Sequence, residues 1–213
     1  MPVDHPSILD IAPVIPVVAL HDASDAVPLA RALAAGGVPI VEVTLRTGEA
    51  LEAIRRIRSE VPEITAGVGT VTVPDQVTAS VDAGAQFLVS PGQTPRLLDA
   101  MVAAPVPFLP GVATGSEILA VLERDHTDMK FFPAAASGGL DYLKAVSGPL
   151  PQVRFCPTGG ITPDNAPDYL AQPNVGCVGG SWVTPETAVA DRDWARIERL
   201  AAQAAALRQH SSA

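Results

Sequence analysis

Short β-branched and aliphatic runs punctuate the chain at near-regular intervals: Val14-Ile15-Pro16-Val17-Val18-Ala19, Ile40-Val41-Glu42-Val43-Thr44-Leu45, Ile64-Thr65-Ala66-Gly67-Val68, Gln86-Phe87-Leu88-Val89, Pro107-Phe108-Leu109, Met129-Lys130-Phe131-Phe132, Val153-Arg154-Phe155-Cys156 and Val175-Gly176-Cys177-Val178. Between them apolar residues recur with helical period, as from Asp25 to Gly36 and from Gly48 to Arg58, and each stretch stops near a glycine or proline. Strand, short loop, helix, short loop is the rhythm of a parallel sheet. Strands covered on both faces read as continuous apolar runs, which these mostly are, so a closed eight-stranded barrel or an open doubly wound sheet would fit; eight near-equal units favour the barrel.

The polar exceptions carry more information than the apolar rule. Glu42 to Arg46, Gly67-Val68-Gly69-Thr70, Ser90-Pro91-Gly92, Pro110 to Thr114, Lys130, Pro157-Thr158-Gly159-Gly160 and Gly179-Gly180-Ser181 all fall in or just after the C-terminal part of a predicted strand. An open sheet gathers such groups at one switch point, whereas here nearly every strand contributes, as in a barrel whose active site lies at that end. The expectation is therefore α/β, a single-domain (β/α)8 TIM barrel over residues 1–213. A short lead covers residues 1–10, the Ala-rich segment from Asp193 to Arg208 forms the closing helix, and residues 209–213 form a frayed tail.

Composition narrows the function classes. With 47% hydrophobic and 17% charged residues the chain has ample material for a core, and its net charge of -9, uninterrupted by any basic block, disfavours attraction to nucleic acid or anionic membrane. No apolar stretch approaches the roughly 18 residues needed to span a bilayer, and the start has no signal-like segment, so a cytoplasmic protein is expected. Cys156 and Cys177 lie in strand-like runs and read as buried reduced thiols. His5, His21, His126 and His210 are scattered without metal-ligand spacing, and no metal or other cofactor is expected.

The chain has two lysines. Lys144 sits in the helical pattern Leu140 to Val146, where a solvated lysine is ordinary, but Lys130 lies inside Met129-Lys130-Phe131-Phe132-Pro133. It reads either as an edge lysine whose stem covers apolar surface while its head reaches water, or as an amine nucleophile suited to Schiff-base chemistry. Glu42, Thr44 and Arg46, spaced by two, point to one side of their strand, which is the barrel interior if Val41, Val43 and Leu45 face the helices. A buried salt bridge or a shared catalytic pocket would explain them. The pairs Gly159-Gly160 and Gly179-Gly180 follow the seventh and eighth strands, where exposed backbone N–H groups and a helix N-terminus can hold phosphate without a lysine.

Taken in order, Glu42-Val-Thr-Leu-Arg-Thr47, Gly67-Val-Gly-Thr70, Ser90-Pro-Gly92, Lys130-Phe-Phe-Pro133, Arg154-Phe-Cys-Pro-Thr-Gly-Gly-Ile161 and Gly179-Gly-Ser-Trp182 resemble the signature of the 2-keto-3-deoxy-6-phosphogluconate (KDPG) and 4-hydroxy-2-oxoglutarate (KHG) aldolases. These are class I enzymes, and the first substrate belongs to the Entner-Doudoroff route. The resemblance runs from about residue 10 to residue 190. It implies that Lys130 forms an imine with the C2 ketone and that Glu42 shuttles protons. Arg46, Thr70 and the Pro91 backbone would take the pyruvyl carboxylate end, Thr158 would border the C4 hydroxyl, and Gly159, Gly160, Gly180 and Ser181 would hold the phosphate. It further implies a homotrimer that needs no metal, with a phosphorylated 2-keto acid, pyruvate and glyceraldehyde 3-phosphate as its small-molecule partners. The chain departs from the pattern at Ala19, where some members carry Arg, and at Ala135, where many have Glu. The same chemistry on 2-keto-3-deoxy-6-phosphogalactonate or KHG is the nearest alternative, and a phosphometabolite-binding barrel without turnover is the alternative of another class.

Overall fold

The structure, a computed structural model, describes residues 7–207. The short lead before Ser7, with His5, and the tail, with Arg208 and His210, lie outside the described residues. Nine strand segments occur among the described residues: β1 (Val14–Val18), β2 (Ile40–Thr44), β3 (Thr65–Gly69), β4 (Leu88–Val89), β5 (Phe108–Leu109), β6 (Gly111–Val112), β7 (Asp128–Phe131), β8 (Arg154–Pro157) and β9 (Val178–Gly180). The helices are α1 (Ala26–Ala35), α2 (Ala50–Glu60), α3 (Pro74–Asp82), α4 (Pro95–Val102), α5 (Gly115–Leu122), α6 (Gly139–Ser147), α7 (Ala166–Leu170), α8 (Glu186–Ala190) and α9 (Trp194–Ala206).

Every ladder is parallel. Hydrogen bonding runs β5-β4-β3-β2-β1-β9 in one sheet and β6-β7-β8 in another. The two are one barrel. Proline has no N–H to give to a ladder, and Pro110 divides what is otherwise a single stave into β5 and β6. On the opposite side, parallel bridges Phe155↔Val175 and Thr158↔Gly179 join β8 to β9. Eight staves thus close on themselves and leave no open edge, as the spacing of the apolar runs predicts.

The strands supply both layers of the core. Val41 and Val43 are buried on the outer face of β2 against the helices, while Glu42 and Thr44 are buried on the inner face. Glu42 pairs in register with Gly67, and a Cβ there would lie 2.4 Å from the Phe87 ring, so that ring occupies the interior beside the carboxylate-bearing strand. Outside, α1 packs on α9 so closely that Gly36 sits where a Cβ would lie 2.5 Å from Ala201 Cβ, closing the helical ring. Helix starts follow the expected local chemistry. Thr94 caps α4 ahead of Pro95, Thr114 and Glu117 form a capping box on α5, and Asp193 accepts from Arg196 N at the start of α9.

One detail differs from the sequence expectation. The eighth stave was expected over Val175–Val178, but β9 runs Val178–Gly180, so Gly179 and Gly180 lie within the strand rather than in the loop after it. The apolar pattern marks where a strand is buried, whereas its end is set by pairing, here Ile15↔Gly179 and Pro16↔Gly180 with β1. His126 lies in the loop before β7, where its ring stacks on Phe108 at 4.0 Å and its Nε2 lies 3.0 Å from the Phe108 carbonyl oxygen. Lys144 is exposed on α6 and Cys156 and Cys177 are buried without a disulfide, as read from sequence.

Candidate active site

A buried pair on β2 and β7 and a cleft over the ends of β1, β8 and β9 build the site. β7 carries Lys130 into the barrel and β2 carries Glu42 toward it from across the interior. Lys130 Nζ donates to Glu42 Oε1 over 3.3 Å, and both side chains are almost wholly withdrawn from solvent. Lys130 is therefore an interior lysine and not an edge lysine snorkelling to water. Its Nζ also lies 5.3 Å from the centroid of the Phe132 ring, which gives the amine an apolar and an acidic neighbour at once.

Arg46 is not part of the buried pair. β2 ends at Thr44, whose Oγ1 donates to the Val18 carbonyl, and Arg46 emerges in the turn beyond it, exposed. There it lines a cleft of about 470 Å³ over the C-terminal ends of β1, β8 and β9, together with Phe132, Thr158, Gly159, Gly160 and Ser181. Lys130 and Glu42 are buried and do not line this cleft, but Phe132 is shared between its wall and the amine.

One wall of the cleft depends on backbone shape. Gly159 and Gly160 have φ of 94° and 78°, a conformation that side-chain-bearing residues rarely adopt, and they turn the chain sharply after β8. Ala134 N and Ala135 N donate to the Thr158 and Gly159 carbonyls, which stitches this turn to the loop after β7. Ala135 presses so closely on Gly160 that a Cβ at 160 would come within 2.4 Å of it. Ser181 is exposed at the end of β9 and lines the cleft, and the short helix α8 follows at Glu186. Gly180 instead backs onto the Trp182 ring, at 2.0 Å from where its Cβ would be, and Gly179 takes its place in the cleft lining.

Thr70 and Pro91 stand at the ends of β3 and β4, outside that lining. Thr70 has φ 61°, costly for a β-branched residue and of the kind found where function fixes the backbone. The Pro91 carbonyl carbon lies 2.3 Å from where a Cβ on Gly111 would be, and Gly111 pairs in register with Lys130, so this loop abuts the lysine's neighbouring strand. Ala19, where some related sequences carry Arg, lines the cleft beside Arg46. Sequence reading missed Trp182, Thr184 and Glu186 as wall residues. Trp182 lies inside a motif it singled out, whereas Thr184 and Glu186 carry no local signal. Among the described residues no three His, Cys, Asp or Glu side chains gather as metal ligands would.

Chemically, a buried amine held against a buried carboxylate can add to a carbonyl and move the protons that the addition requires. An adjoining cleft with one arginine and two left-handed glycines can hold an anionic chain end. Residues 6–200 match the KDPG and KHG aldolase family. The chain belongs to that family. The KHG/KDPG aldolase of Escherichia coli strain K12 is 50% identical over 198 residues, covering 93% of either chain. Among solved structures, KDPG aldolase from Legionella pneumophila, with pyruvate captured at low pH as a covalent carbinolamine intermediate, superposes with a TM-score of 0.91 at 47% identity, covering 92% of this chain and 96% of its own. The aldolase of Zymomonas mobilis ZM4 with 3-phosphoglycerate gives 0.90 at 46% identity and 96% coverage of both chains. As a member of this family the chain is a class I aldolase, a lyase built on a (β/α)8 barrel.

Proposed function

We propose that the chain acts as a single (β/α)8 domain that cleaves KDPG to pyruvate and glyceraldehyde 3-phosphate through an imine on Lys130. The buried contact between Lys130 Nζ and Glu42 Oε1, joined to the cleft through Phe132, carries this reading. The neutral Lys130 amine adds to the C2 ketone, and the resulting carbinolamine loses water with Glu42 relaying the protons, leaving a protonated imine. Glu42 then takes the C4 hydroxyl proton. The C3–C4 bonding pair moves toward the imine as an enamine and the C4 fragment leaves as the aldehyde. Return of a proton to C3 and hydrolysis of the imine release pyruvate and restore the lysine. One carboxylate suffices because these transfers occur in sequence.

In the same reading Arg46, Thr70 and the Pro91 backbone receive the pyruvyl carboxylate, Thr158 faces the C4 hydroxyl, and Gly159, Gly160 and Ser181 hold the phosphate, with Gly180 backed by Trp182 shaping the loop that carries Ser181. The E. coli relative's name covers both KHG and KDPG, which favours KHG as a second substrate. We also propose a cytosolic homotrimer. Its support is the family resemblance, together with exposed Val73, Val102 and Leu119 and the lack, among the described residues, of any helix long and apolar enough to cross a membrane.

Incubation with pyruvate and borohydride, followed by intact-mass measurement and peptide mapping, tests the reading. A reduced pyruvyl adduct on Lys130 is expected, and Lys130→Ala should form none while losing at least about 1,000-fold in turnover. Folded wild-type protein that forms no adduct would redirect the assignment to a barrel that binds a phosphorylated metabolite without imine chemistry.

A further inference from the structure

Why the Glu42 carboxylate rests where Lys130 can reach it is answered by a residue with no side chain. Gly69 ends β3 and pairs in register with Thr44, so its Cβ direction falls on the inner face that Glu42 shares. A Cβ built there would lie 2.1 Å from Glu42 Oε1 and 2.6 Å from both Cδ and Cγ. Oε1 is the same oxygen that accepts from Lys130 Nζ. The carboxylate thus lies directly over the Gly69 α-carbon, in space that any other residue would fill.

Glu42 has little room to yield. It belongs to the central part of β2, hydrogen-bonded between β1 and β3, and it is 3% exposed. Thr44, the next inward side chain along the strand, is tied to Val18 O. The three atoms nearest such a Cβ all belong to Glu42, so a methyl group at position 69 would displace the carboxylate from the place in which it meets the lysine. Gly69 is not among the cleft-lining residues, and its φ is not in the left-handed range, so backbone conformation alone does not demand glycine here.

We infer that Gly69 is a positioning residue for the reaction: its missing Cβ seats the Glu42 carboxylate beside Lys130. This rests on the aldolase reading above. A misplacement of about 1 Å in a proton-transfer group can cost roughly 100-fold in rate, which sets the expected scale for Gly69→Ala.

The test is a double-mutant cycle of Gly69→Ala and Glu42→Ala, read by deuterium exchange into the pyruvate methyl group, which needs the imine and the proton shuttle but neither aldehyde nor phosphate. Gly69→Ala should lower the maximal exchange rate by about 100-fold with the KM for pyruvate changed by no more than a few-fold. In the Glu42→Ala background, where the clash is gone, Gly69→Ala should cost nothing further. A wild-type exchange rate for Gly69→Ala, or losses that multiply in the double variant, would overturn the inference. Should Gly69→Ala fail to fold, a folded double variant would locate the clash at Glu42 and support it, and an unfolded one would overturn it. Full activity of Glu42→Ala alone would instead remove the role given to Glu42, an outcome distinct from failure of the Gly69 inference.

Discussion

Single residues here owe their behaviour to what the barrel places against them. His126 is the clearest case among titrating groups. Its ring stacks on Phe108, and burial holds its imidazole below the ordinary value of 6.5, against the opposing pull of the Phe108 carbonyl and Asp128. Above pH 6.5 folded and unfolded chains both carry the neutral ring. As the pH falls below it the unfolded chain takes up a proton that the folded chain resists, so stability declines from about pH 6.5 down through the folded value. His126→Phe, which keeps a stacking ring but no proton, should flatten that decline. Melting temperatures of the two proteins between pH 7 and pH 5 will show it, and parallel curves would mean that His126 is not the group responsible.

Elements position chemistry that no residue could hold alone. The loops after β8 and β9 line one cleft, and Ala134 and Ala135, after β7, bond the carbonyls of Thr158 and Gly159 and tie down the turn after β8. Ser181 lines the same cleft. A carboxylate there would repel a terminal phosphate, so Ser181→Asp should raise KM for the phosphorylated substrate by about tenfold, well beyond any effect on pyruvate exchange. Equal damage to both measurements would place the phosphate elsewhere. The glycine pairs were legible in sequence, but which glycine faces the cleft was not. β9 extends to Gly180, and that extension gives the cleft to Gly179 and turns Gly180 to Trp182.

For the whole molecule, the closed barrel explains how a chain with two lysines can bury one of them. Parallel strands bring β2 and β7 to opposite walls of one interior, where an amine and a carboxylate 88 positions apart in sequence pair away from water. Such a pair is costly to build for stability alone, which is itself an argument for chemistry at that point. The exposed apolar side chains Val73, Val102 and Leu119 lie on the outside, consistent with the proposed trimer. Light scattering on the eluted protein should return three times the 22.0 kDa of one chain, and a 22.0 kDa species at working concentration would refute that assembly.

The amino-acid sequence determined the eight-fold strand rhythm, the polar C-terminal ends, the rare lysine in an apolar strand and the order of motifs that marks the aldolase family. These are local patterns, written in residue type and spacing, and burial on both faces of a parallel strand leaves a direct trace in them. Only the tertiary structure decided that Lys130 meets Glu42, that Arg46 stands apart in the cleft and that Gly69 makes room for the carboxylate. Those facts depend on where each strand stops, on its register with its neighbours and on the direction of a Cβ that glycine lacks. Contacts between distant strands set all three, and no window of sequence contains them.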